Sequence, residues 1–119
     1  MHARFRGVVP QIASRAHLEK INHIYAEALQ RAGVPAEDLD YVAVSVCPGL
    51  IGSLMIGAQF AKCLALVHDL PLVLVDHLEA HLYAPCLDEG SAYRPAEAYP
   101  FLGLLLSGGN SAIYRVDGP

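Results

Sequence analysis

His77 and His81 are the residues of this 119-residue chain whose type and spacing point most directly to chemistry. They stand four positions apart in Asp76-His77-Leu78-Glu79-Ala80-His81. On a helix, residues at i and i+4 share a face, so two imidazoles placed this way can offer ring nitrogens to one transition-metal ion. Glu79 falls on roughly the opposite side. The pattern therefore differs from the zinc-protease motif H-E-x-x-H, whose glutamate directly follows the first histidine. Spacing alone favours two surface or hydrogen-bonded histidines over a ligand pair, and position is what raises the metal reading. The apolar run Pro71-Leu72-Val73-Leu74-Val75 reads as a buried strand. The carboxyl end of such a strand is where open α/β sheets place ligand sites.

Two glycine-containing stretches offer a different chemistry. Cys47-Pro48-Gly49-Leu50-Ile51-Gly52-Ser53 lies between a β-branched run and an apolar helical run, an order that can aim a helix N-terminus at an anion. It is neither G-x-G-x-x-G nor a Walker loop, and a tight turn explains it equally well. Ser107-Gly108-Gly109 joins two apolar runs, and its hydroxyl and N–H groups can meet a phosphate or carboxylate. A plain hairpin turn is the simpler account of that segment taken alone.

The elements that must hold these groups follow from periodicity. Gly7-Val8-Val9-Pro10 reads as a loop ending at a helix-starting proline. A helix is predicted over 11–32, with Ile21, Ile24, Tyr25, Ala28, Leu29 and Ala32 on one stripe, closed by Gly33 and Pro35. His17 and His23 lie within it and read as surface or packed histidines. A brief helical turn is expected at 35–38 and a strand at 41–46. A second helix is predicted over about 53–67, apolar on most sides and so sandwiched in a core or against a partner. The strand at 72–75 and a short helix carrying the histidine pair come next, with Pro85 limiting that helix. Residues 88–100 read as an exposed loop, and Phe101–Ser107 with Asn110–Val116 as a β-hairpin. Strands and helices alternate, so the class is α/β.

Composition narrows the function. The chain is 54% hydrophobic, which predicts a filled core. Its net charge of −4 supplies no global basic field for nucleic acid, so any RNA contact must be local or shared. Three cysteines without a C-x-x-C pair speak against a disulfide framework and fit a reducing, cytoplasmic setting. No apolar run is expected to approach the length of a membrane span, and no membrane partner is expected.

Four blocks in order resemble one family. They are Gly7-Val8-Val9-Pro10-Gln11-Ile12-Ala13-Ser14-Arg15-Ala16-His17, Pro48-Gly49-Leu50-Ile51-Gly52-Ser53-Leu54, His77-Leu78-Glu79-Ala80-His81-Leu82 and Leu105-Leu106-Ser107-Gly108-Gly109. They resemble the TsaD/Kae/Gcp family, the tRNA adenosine threonylcarbamoyltransferases. The resemblance implies the two-domain actin/Hsp70/sugar-kinase-like (RNase H-like) fold, with residues 1–119 as a partial N-terminal domain and the second domain absent. It implies transfer of a threonylcarbamoyl group from threonylcarbamoyl-AMP to the N6 amine of the adenosine next to the anticodon of tRNA. By the same resemblance His77 and His81 would hold one divalent metal ion per subunit, iron(II) or zinc, together with a later aspartate. Leu105, Leu106, Ser107, Gly108 and Gly109 would contact the adenylate. A paralogous actin-like dimerisation subunit and an ATPase subunit would be partners. His17 matches a recurrent family histidine to which no role is assigned. Asn110 and Ser111 stand where the family usually has His-Thr, and Cys47 where glycine is common. With one wall of the cleft, the chain alone is expected not to modify tRNA. A non-catalytic scaffold or dimerisation module of the same fold and a metalloprotease are the alternatives; the missing H-E-x-x-H disfavours the latter.

Overall fold

The structure is a computed structural model and describes residues 9–87, 99–106 and 111–118. Contacts divide the chain into two units, Met1–Val75 and Asp76–Pro119. Both units mix helices and strands as predicted; they alternate in the first unit, and the second carries a helix and an antiparallel hairpin.

The first unit opens with α1 (Pro10–Ala32). Proline suits the first helical position because its missing N–H has no intrahelical use there. Gly33 ends the helix at φ 65°, the left-handed conformation that a Cβ disfavours, and its N–H donates to the Leu29 and Gln30 carbonyls. A 3-10 turn at Ala36–Asp38 leads to β1 (Val42–Cys47). Helix α2 (Ile51–His68) then crosses to β2 (Leu72–Asp76). The Val42 N–H donates to the Pro71 carbonyl at 2.9 Å, so the two strands begin side by side and run in the same direction. Parallel neighbours need such a crossover, and α2 provides it.

α2 packs against α1 on one side and β1 on another. The α1 contact is close at Ser14, whose Oγ occupies the space a Cβ at Gly52 would need. Further along, Tyr25 and Phe60 meet edge-to-face with centroids 5.5 Å apart. The predicted stripe on α1 divides. Ile21, Tyr25 and Leu29, one row at i, i+4, are half-buried, while Ile24, Ala28 and Ala32 are exposed. A helix contacted on one side shelters one ridge rather than a broad face.

Two expectations are corrected here. Among the described residues the buried apolar side chains are Ala13, Ala61 and Ala65, so the predicted filled core is a thin seam of alanines. α2 is covered on two sides as expected of a sandwiched helix, but Leu66 remains 84% exposed and Ile51, Met55 and Val67 are exposed as well. The statement that no apolar run approaches a membrane span also fails: α2 is long and apolar enough to cross one by length and composition alone. It packs on α1 and β1, yet only 11% of its length is buried among the described residues.

The second unit begins with α3 (His77–Tyr83), followed by a 3-10 turn at Ala84–Leu87. β3 (Phe101–Leu106) and β4 (Ser111–Val116) pair antiparallel, Phe101 opposite Val116 and Leu106 opposite Ser111, as the hairpin prediction requires. Phe101, Gly103 and Leu105 face inward with Ala112, Tyr114 and Val116; Leu102, Leu104, Leu106 and Ile113 face outward and are exposed. α3 lies against β3. Gly103 permits this approach, since a Cβ there would sit 2.5 Å from Leu82 Cδ2.

Candidate metal and ligand site

Asp76 ends β2 and serves as the N-cap of α3. Its Oδ1 accepts hydrogen bonds from the Leu78 N–H at 2.7 Å and the Glu79 N–H at 3.3 Å. These are two of the backbone donors that a helix start leaves without intrahelical partners. His77 is thereby the first helical residue and His81 follows one turn later. The far end of α3 is tied by the Tyr83 hydroxyl, which lies 3.0 Å from the Tyr99 hydroxyl. Tyr99 in turn stacks at a tilt on Phe101, with centroids 5.5 Å apart.

The structure brings the two predicted ligands side by side. His77 Nε2 and His81 Nε2 are 2.9 Å apart, with the rings perpendicular and their centroids separated by 4.4 Å. Without a bound ion this is a hydrogen bond: one Nε2 carries the proton and donates it to the lone pair of the other. Metal–nitrogen bonds of about 2.0–2.1 Å would make two nitrogens at this separation subtend roughly a right angle at one ion. Both imidazoles are exposed, so an ion can replace the shared proton without prior opening of the unit. The donor set therefore fits two neighbouring positions of a divalent transition metal. Among the described residues no three His, Cys, Asp or Glu side chains converge.

Shallow grooves flank α3. One, of about 300 Å³, is lined by His81, Leu82, Pro85 and β3 residues Phe101–Leu105. It brings together His81 and Leu105, predicted separately as metal ligand and adenylate contact. Leu106, the next residue, points outward and is 71% exposed. Ser107, Gly108, Gly109 and Asn110 lie outside the described residues, as do Gly7, Val8 and residues 88–98. The other groove, of about 440 Å³, is lined by Asp76, Glu79, Tyr83, Tyr114 and Arg115 among others. Glu79 thus sits away from the groove of His81, as the helical spacing requires, and the metalloprotease arrangement is not formed.

The histidines of α1 are accounted for locally. His17 Nδ1 bonds the Ala13 carbonyl at 2.7 Å and the ring lines a groove with Ser45 and Ser53 in the first unit. His23 is a surface residue 4.0 Å from Glu27. Cys47, at the end of β1, is exposed.

Two features of the site escaped the sequence reading. The cap at Asp76 carried a signal, an aspartate directly before a helix. The Tyr83–Tyr99 pair carried none, being joined across 16 positions by folding alone.

Residues 1–118 match the family model described as TsaD: tRNA N6-adenosine threonylcarbamoyltransferase. The chain is 53% identical over 114 residues to the tRNA N6-adenosine threonylcarbamoyltransferase of Leptospira interrogans, covering 96% of this chain and 32% of that protein. The Sorangium cellulosum protein of the same name is 50% identical over 123 residues, covering 100% and 35%. That of Francisella philomiragia is 45% identical over 116 residues, covering 98% and 33%. The chain spans about a third of the length of these curated relatives. With the family model matched over almost its whole length, the chain belongs to the TsaD family.

Proposed function

We propose that this chain is part of a tRNA N6-adenosine threonylcarbamoyltransferase and acts in threonylcarbamoyladenosine biosynthesis. The observation that carries the reading is the apposed His77–His81 pair beside the groove that reaches Leu105. Two ring nitrogens 2.9 Å apart, next to an apolar channel, suit a reaction that needs a polarised carbonyl and an immobilised acyl donor. The relatives' printed name supplies the reaction class.

In this reading His77 and His81 hold a divalent ion, iron(II) or zinc, with further ligands from the remainder of the protein. When bound, such an ion supplies Lewis-acid polarisation of the carbamoyl oxygen. Leu82, Phe101 and Leu105 shield one side of the acyl donor from water. The segment Leu105, Leu106, Ser107, Gly108 and Gly109 holds the adenylate, a glycine-rich sequence whose hydroxyl and N–H groups suit an anionic ligand. The N6 amine of tRNA attacks the carbamoyl carbon, the bond to the phosphate oxygen breaks so that AMP leaves, and the amine nitrogen gives up one proton to solvent. Asn110 follows that segment in the sequence with an amide, which can donate a hydrogen bond but cannot relay a proton as an imidazole can. The chain is read as part of the N-terminal domain of an actin-like two-domain protein in the cytoplasm, working with a paralogous dimerisation subunit and an ATPase subunit.

The test is a graft. This chain replaces the matching third of the Leptospira interrogans relative, and transfer of labelled threonine from threonylcarbamoyl-AMP to tRNA is measured. Transfer by the graft, lost on His81→Ala, is expected. Undiminished transfer by a His77→Ala/His81→Ala graft would overturn the reading. The 119 residues alone are expected to give no transfer above background, because positioning of both reactants requires walls on more than one side.

A further inference from the structure

We propose that Asp76 is a positioning residue for the histidine pair: by capping α3 it holds His77 at the separation from His81 at which both face one divalent cation. The proposal rests on the metal reading above and concerns a residue to which that reading gives no part. α3 has seven residues, far below the length at which a helix persists in water without outside support. Its two ends are held by different means. Toward its C-terminal end Leu82 sits against Gly103 and Tyr83 bonds Tyr99. At the first turn the Leu78 and Glu79 N–H groups both donate to Asp76 Oδ1. His81 lies next to the packed end, whereas His77 is the first helical residue and frays first if the cap is lost. The 2.9 Å Nε2–Nε2 separation is thus set on one side by packing and on the other by a carboxylate one residue away.

A carboxylate here has two separable effects. It caps, which an asparagine does about equally well, and it adds a negative charge, which an asparagine does not. Asp76→Ala removes both and Asp76→Asn removes only the second. The full 119-residue chain is titrated with cobalt(II), read by its visible absorption, and histidine side-chain 15N spectra are recorded without metal. Asp76→Ala is expected to weaken cobalt binding about two- to thirty-fold, the span of measured N-cap losses, and Asp76→Asn to stay within about threefold of the parent. In the metal-free spectra the hydrogen-bonded Nε2–H of the pair is expected in the parent and in Asp76→Asn and lost in Asp76→Ala. Unchanged cobalt affinity in Asp76→Ala overturns the proposal, and so does an Asp76→Asn variant as weak as Asp76→Ala, which would assign the effect to charge. Loss of amide protection across β3 and β4 in Asp76→Ala overturns it too, by making Asp76 a general structural residue. If the parent binds no cobalt, the metal reading fails, and the 15N spectra decide the positioning role separately.

Discussion

At the end of β1 the chain spends Pro48, Gly49 and Leu50 before entering α2, and no side chain caps that helix. At the end of β2 it enters α3 with no residue between, Asp76 being both the last residue of the strand and the cap. The helices differ in parallel. α2 has 18 residues and two packed sides, so tertiary contacts maintain it whatever happens at its first turn. α3 has seven and rests on one strand, so its ends decide its geometry. Candidate chemistry lies on the short helix. A site carried by two turns has its ligand separation set by a few local interactions, and it is correspondingly easy to disturb.

The largest effect that separates the two junctions is expected at the ligands. His81→Ala should lower zinc or cobalt affinity at least tenfold, because a single exposed imidazole is a poor site. Calorimetric titration of the 119-residue chain reads it, and the α2 region should keep its thermal unfolding. Equal binding by parent and variant would remove the pair as ligands.

Next in size is a change confined to the packed helix. Ala61→Leu adds volume where Ala61 is 5% exposed and is expected to destabilise the first unit by about 1–3 kcal/mol. Urea unfolding followed by circular dichroism would show it. Cobalt affinity should stay within about twofold, and a large loss there would mean that α3 depends on α2 more than the comparison allows.

Gly103→Ala probes the support beneath α3. The added methyl must displace the end of the Leu82 side chain, so a cost of about 1 kcal/mol is expected rather than the larger figure for a backbone clash. Leu82→Ala combined with Gly103→Ala should be less destabilised than the sum of the single changes, and strict additivity in denaturant midpoints would refute the contact.

The smallest effect has the opposite sign. Leu50 occupies the N-cap of α2 in extended conformation without a capping hydrogen bond. Leu50→Asp is expected to stabilise the first unit by about 0.5–1 kcal/mol, read as a rise in its unfolding midpoint. A decrease would show that the apolar contacts of Leu50 outweigh a cap, and the junctions would differ for a packing reason instead.

Element order was readable before folding was considered, because periodicity and punctuation act locally. Pro10 and Gly33 bound α1 by backbone preference alone, and the runs at 101–106 and 111–116 pair as the hairpin expected of two runs joined by Gly-Gly. The i, i+4 spacing placed His77 and His81 on one face and Glu79 away from them, since helix geometry is the same in any protein. Composition misled where neighbours mattered. A 54% hydrophobic chain suggests a filled core, yet burial depends on what covers each face, and among the described residues α2 packs chiefly on α1 and β1. Tertiary structure alone decided that the two Nε2 atoms stand 2.9 Å apart, that His81 and Leu105 border one groove, that Tyr83 finds Tyr99, and that Gly103 admits Leu82. Each of these joins side chains whose meeting depends on rotamers and on the approach of separate elements. Spacing along a chain can restrict which groups share a face, but only packing sets the distances between them.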